Sequence, residues 1–127
     1  MAANGGAIAN AATGTLYVAN SDLTGNRASA SGGAILNEGA LTAEACDLSG
    51  NTALQGGAVA VDVQDTDLDP IVVTGCTLAT NSAEVGGALA LVAGSLEVIS
   101  STFTENTATN GGAIVTAPLN TATVGGS

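Results

Sequence analysis

The sequence predicts an all-β chain: a right-handed parallel β-helix, three short strands per coil, about four to five coils. Three observations predict it. A Gly-Gly-Ala motif recurs about every 25 residues, and the apolar, small and asparagine positions between motifs keep constant spacings. Apolar residues also alternate with polar ones at the two-residue period of strands, not the 3.6-residue period of helices. Fixed rungs separated by one variable loop are the signature of a solenoid.

Gly-Gly-Ala followed by Ile, Val or Leu occurs five times, beginning at Gly5, Gly32, Gly56, Gly86 and Gly111, so the spacings are 27, 24, 30 and 25. A second segment precedes each recurrence: Asp22 to Asn26, Asp47 to Asn51, Thr77 to Asn81 and Thr102 to Asn106. A third lies before it, beginning at Thr15, Ala40, Ile71 and Ser95. From Leu16, Leu41, Ile71 and Leu96 to Ser21, Cys46, Cys76 and Ser101 the interval is always five residues. It is two more to Leu23, Leu48, Leu78 and Phe103, then three to Asn26, Asn51, Asn81 and Asn106. Length varies mainly after the glycine motifs, where Ile8 to Leu16, Ile35 to Leu41, Val59 to Ile71 and Leu89 to Leu96 span 8, 6, 12 and 7 residues. Glycine pairs at this frequency exclude helical repeats, since each interrupts a helix.

Coils stacked roughly 4.8 Å apart would bring like residues together. Four internal rows are expected. They are Leu16/Leu41/Ile71/Leu96, Val18/Ala43/Val73/Val98, Leu23/Leu48/Leu78/Phe103 and Ile8/Ile35/Val59/Leu89/Ile114. Asn26, Asn51, Asn81 and Asn106 recur at a turn, where a short amide tolerates unusual backbone angles and bonds to the next asparagine. The glycine pairs are expected at a corner, with positive φ or close backbone contact.

Composition agrees. With 18 Gly, one Tyr, one Phe and no Trp, the chain has little of the aromatic area that dominates ordinary cores. Dense rows of small and β-branched side chains are the alternative. Eleven acids against the single Arg27 give a net charge of −10. That disfavours nucleic acid, whose phosphates require Lys or Arg, and anionic membranes likewise. No signal peptide opens the chain, and no apolar run is long enough for a transmembrane segment.

Gly111-Gly112-Ala113-Ile114 and Phe103-Thr104-Glu105-Asn106 carry a resemblance to a known family. Gly-Gly-Ala-Ile with Phe-x-x-Asn resembles the repeats of chlamydial polymorphic outer-membrane proteins and related right-handed β-helix repeat proteins. Three copies here have Leu23, Leu48 or Leu78 in place of the Phe. The resemblance implies extracellular or cell-surface display, as an adhesive or structural β-helical segment of an autotransporter-like passenger. Its membrane barrel would lie elsewhere.

Residues 1–127 are accordingly expected to form a single β-helix repeat segment, part of a longer protein or assembly. No charged residue precedes Asp22 or follows Glu105. Such uncharged ends suit axial coil-on-coil stacking, on flanking repeats of the same protein or on another copy in a head-to-tail filament. A host surface or glycan is the external ligand class left open. Cys46 and Cys76 share a column in adjacent coils. A bond is geometrically open to them, but the expected state is two small buried side chains, like Ser21 and Ser101.

Asp62, Asp65, Asp67 and Asp69 in the longest loop offer oxygen ligands for Ca2+. A solvated acidic loop is the expected reading, with no resident cofactor. Catalysis is not expected: there is no His, the only aromatics are Tyr17 and Phe103, and Arg27 stands alone, so a polysaccharide-acting enzyme fits poorly. An ice-binding face fits little better, because the outward pairs Asp22/Thr24, Asp47/Ser49, Thr77/Ala79 and Thr102/Thr104 contain one full Thr-x-Thr.

Overall fold

In the computed structural model the chain is a parallel β-solenoid, described for residues 2–4, 6–11, 14–62, 71–93, 95–110, 114–116 and 121–125. All strand pairing is parallel, and no helix occurs among the described residues. Gly5, Gly111, Asp65, Asp67 and Asp69 lie outside them.

Each winding visits four faces. The second face, built on the glycine motif, stacks Ile8–Asn10, Ile35–Asn37, Val59–Asp62, Leu89–Ala93 and Ile114–Thr116. The third stacks Thr15–Ala19, Ala40–Glu44, Ile71–Thr74, Ser95–Ile99 and Thr121–Gly125. The fourth pairs Thr77–Ala79 with Thr102–Thr104 and continues downward through single bridges, Asp22 to Asp47 and Asp47 to Thr77. Of the five strands on the second and third faces, the inner three are flanked on both sides. About three turns are thus enclosed on both sides, slightly fewer than the four to five coils expected.

The first face is the departure from three strands per coil. Ala2–Asn4 pairs with Ala28–Ser31, and Ser82–Val85 with Thr107–Asn110. Bridges from Arg27 and Ser31 through Thr52 and Gln55 to Ser82 and Val85 join the two pairs. These segments are mostly Ala, Ser, Thr and Asn, with Val85 their one branched apolar residue, so the apolar contrast that marks a strand period is weak. They pair because the windings above and below hold them in register.

The expected rows form. Leu16 lies beside Leu41, Ile71 beside Leu96, Leu78 beside Phe103, and Ile8, Ile35, Val59 and Leu89 run in one column. Ile35, Leu48, Leu78 and Leu89 are fully buried at the centre, while Ile8, Leu16, Leu23 and Phe103 are partly buried against them. Full burial of such a side chain contributes about 1.5–3 kcal/mol.

Left-handed residues make the corners, and they too stack. Asn20, Ala45, Gly75 and Ser100 have φ of 51, 51, 62 and 50°. Gly25, Gly50, Thr80 and Glu105 follow at 68, 70, 55 and 54°. The first glycine of each pair, at Gly32, Gly56 and Gly86, forms a third set at 65, 64 and 64°. The second glycine serves closeness instead. A Cβ on Gly57 would overlap the carbonyl oxygen of Gly87 and lie 2.8 Å from Ser82 N. In the three pairs described in full, the first glycine takes the positive φ and the second the close backbone contact.

Two substitutions separate these roles. Gly57→Ala should cost about 2–4 kcal/mol, since the obstacle is backbone of the next winding. Thr80→Gly should add roughly 0.5–1 kcal/mol by relieving a β-branched residue at positive φ. Urea midpoints at constant m-value check both; a stabilised Gly57→Ala or a destabilised Thr80→Gly would contradict the corner assignment.

Candidate functional site

Asn26, Asn51, Asn81 and Asn106 form a continuous ladder inside the corner between the fourth and first faces. The left-handed residue before each asparagine rotates its backbone N–H out of the strand ladder, so that donor needs another acceptor. The asparagine one winding later supplies it. Asn26 N–H donates to Asn51 Oδ1 at 2.8 Å, Asn51 N–H to Asn81 Oδ1 at 2.8 Å and Asn81 N–H to Asn106 Oδ1 at 3.0 Å. Each Nδ2 reaches back to a corner carbonyl: Asn51 to Leu23 O at 2.9 Å, Asn81 to Leu48 O and Asn106 to Leu78 O at 2.8 Å. Nδ2 also bonds along the column, from Asn51 and Asn81 to the next Oδ1, at 3.1 and 3.0 Å. Asn51 and Asn81 are 0% exposed, a burial that only full hydrogen bonding makes tolerable. No buried side-chain nitrogen or oxygen among the described residues lacks a partner.

The Ser21/Cys46/Cys76/Ser101 column repeats the device at the corner between the third and fourth faces. Cys46 N–H donates to Cys76 Sγ at 3.4 Å, and Cys76 N–H to Ser101 Oγ at 3.1 Å. Both cysteines are free and buried, as expected of small residues in that column. The residue types alone point to small buried side chains or to a bond between windings, and the acceptor role follows from the positive φ of the preceding residue.

Asn10 and Asn37 are a second amide pair that the spacing did not expose. Asn10 Nδ2 donates to Asn37 Oδ1 at 2.7 Å and to Ala40 O at 2.9 Å, and Asn37 Nδ2 donates to Gly39 O at 2.8 Å. They end the second-face strands of the first two windings. Higher in the column stand Val61 and Leu91, so no four-fold recurrence marks the position.

Outside, the strip of Asp22, Asp47, Thr77 and Thr102 runs in register along the fourth face. Ser49 Oγ donates to Asp47 Oδ1. On the third face Tyr17, 62% exposed, donates its hydroxyl to Glu44 Oε2 at 2.7 Å. That bond, and then the Glu44 charge, hold the phenol's pKa above its ordinary value. Of the acidic loop only Asp62 is described, ending its strand. No group of three or more metal-ligating side chains occurs among the described residues, and no helix there is long and apolar enough to cross a membrane.

Residues 20–38 and 100–117 each match the Chlamydia polymorphic membrane protein repeat. Two stretches of the chain are thus similar to that repeat. Both copies begin on the same corner, at the left-handed Asn20 and Ser100. Each then runs across the fourth and first faces and through a glycine pair. Residues 45–63 and 75–92 begin on the same corner one winding apart, so the repeat is one structural unit copied up the stack. No curated protein and no solved structure matches the chain.

Removing one interior rung of the ladder should be severe. Asn81→Ala strands Asn51 N–H and Leu48 O, about 1–3 kcal/mol each, for a total of roughly 3–5 kcal/mol. Asn26→Ala, at the half-buried first position, should cost about 1 kcal/mol. Denaturant titration of both variants is the check, and equal costs would deny the ladder. Tyr17 is the only tyrosine, with no tryptophan, so its phenolate absorbance gives a single titration. Glu44→Gln should move that titration down toward the ordinary value. Because the folded-state pKa is raised, whatever the Tyr17–Glu44 bond contributes is fully present below the ordinary pKa and is lost as pH rises through the raised one.

Proposed function

We propose that the chain is a scaffold segment of a surface-displayed, extracellular β-helical passenger, whose outer faces serve adhesion. The observation that carries this reading is the pair of matching repeats, each occupying a whole corner-to-corner unit of one parallel stack. Every buried amide and thiol described above serves to hold one winding on the next. Recognition is therefore a task for the exterior: the Asp22/Asp47/Thr77/Thr102 strip and the Tyr17–Glu44 pair of the third face. With a net charge of −10, that exterior suits a basic protein surface or a neutral glycan better than another polyanion.

Axially, the partners in this reading are flanking repeats of the same protein. The competing reading is a head-to-tail filament of separate copies, since parallel stacking is heterologous and does not close on itself. Two measurements test the proposal. Antibodies raised against this chain should label intact, unpermeabilised cells expressing the full-length protein, and beads coated with the purified chain should bind host cells or a glycan array above a scrambled control. Labelling only after permeabilisation, or beads that bind nothing, would overturn display or adhesion respectively. Long fibres of the purified chain in negative stain would favour the filament instead.

A further inference from the structure

We propose that Cys46 and Cys76 are a disulfide-forming pair, which staples two consecutive windings when the chain folds in an oxidising compartment. The inference rests on the geometry of their column and stands independently of the adhesive reading.

The two residues are neighbours along the solenoid axis, although 30 residues apart in sequence. Each precedes a residue of the fourth-face ladder, Asp47 or Thr77, and those two are bridged in parallel register. Stacked strand positions lie about 4.7–4.9 Å apart, inside the Cα separation of roughly 4.4–6.8 Å that a disulfide accepts. The Cys76 sulfur is already turned toward the lower winding, 3.4 Å from the backbone nitrogen of Cys46. Cys46 Sγ contacts Glu44 O at 3.2 Å and Val18 O at 3.4 Å, and Cys76 Sγ contacts Thr74 O at 3.4 Å. These are long contacts from a weak donor, so the bond that pairing the sulfurs has to keep or outweigh is the one from Cys46 N–H to Cys76 Sγ.

The other windings supply the comparison. Where the column holds serine, the hydroxyl does the corner's work with shorter bonds: Ser21 Oγ donates to Ala19 O at 2.8 Å, and Ser101 Oγ accepts from Cys76 N–H at 3.1 Å. As a hydrogen-bonding group the thiol is the poorer occupant. It brings one capability that serine lacks, and it occurs in two consecutive windings, the arrangement that capability requires. The pair also brackets the longest of the sequence intervals that follow the glycine motifs, the 12 residues from Val59 to Ile71.

A small-molecule disulfide such as oxidised glutathione is the oxidant. The Cys46 thiolate attacks one of its sulfurs, giving a mixed disulfide and releasing the first small thiolate. The Cys76 thiolate then attacks the Cys46 sulfur, the Cys46–Cys76 bond forms and the second small thiolate leaves. Two electrons pass from the protein to the oxidant, and the two thiol protons end on the released thiols. Both cysteines are almost wholly buried once wound, 3% and 1% exposed, and burial pushes the Cys76 thiol upward in pKa. Exchange therefore belongs to the winding process, before the coil carrying Ser101 seats above Cys76.

The full chain, refolded in a glutathione redox buffer and then denatured with excess iodoacetamide, provides the test. The expected product carries no alkyl adduct, is ~2 Da lighter than the reduced chain, and yields a peptide linking Cys46 to Cys76. Its Tm should exceed that of the reduced chain by about 10 °C. Cys46→Ser and Cys76→Ser, each placing in the column a residue it already holds elsewhere, should fold and lose the redox-dependent shift. Alkylation of both thiols after oxidative refolding, an exclusively intermolecular link, or an unchanged redox shift in the serine variants would each overturn the proposal.

Discussion

The structure depends on the hydrogen bond from a corner N–H to the side chain of the next winding. A chain that turns through a left-handed residue removes that N–H from the strand ladder, and a buried donor without an acceptor costs about 1–3 kcal/mol. Asn51 and Asn81 meet the demand with their Oδ1 atoms while Nδ2 takes the freed carbonyl below. Ser101 and Cys76 do the same one corner earlier. Both devices work only if each winding lies directly over the last, so corner chemistry and register impose each other.

The remaining composition follows from that register. Once windings are superimposed, each interior position faces its own kind, and a row of Leu, Ile and Val fills the space without large aromatics. Gly6, Gly33, Gly57 and Gly87, the second glycines among the described residues, sit where the next winding's carbonyl approaches. Most of the length variation falls at the corner between the second and third faces, where a side-chain amide pair, Asn10 and Asn37, occurs in the first two windings only. The matched polymorphic membrane protein repeats start and end consistently with this division: they hold the two invariant corners of the fourth face and exclude most of the variable one.

The rows of the second, third and fourth faces were legible because branched apolar residues recur there at constant intervals, and strand alternation shows directly in Leu16/Val18 or Ile71/Val73. The first face was not, since Ala28–Ser31 and Ser82–Val85 have weak apolar contrast and pair only through their neighbours. The asparagine ladder was visible as a column, but its donors were not, because the left-handed residue before each asparagine is Gly25 and Gly50 in two windings and Thr80 and Glu105 in the next two, so no single residue type marks the turn. Asn10 and Asn37 escaped for a different reason, being replaced by Val61 and Leu91 after two windings. The acidic loop, legible as composition, contributes Asp62 to the end of a strand.

An exterior that is acidic, small-featured and carried on an internally satisfied stack is well suited to presenting surface while its length is set by the number of copied units. The account as a whole stands or falls on the axial asparagine bonds. In isotopically labelled protein, scalar coupling across the hydrogen bond between the Asn51 backbone nitrogen and the Asn81 side-chain carbonyl carbon measures one of them directly. The account predicts that coupling, together with those from Asn26 to Asn51 and from Asn81 to Asn106, and slow amide exchange at Asn51 and Asn81. Absent couplings with rapid exchange at those two amides would contradict it.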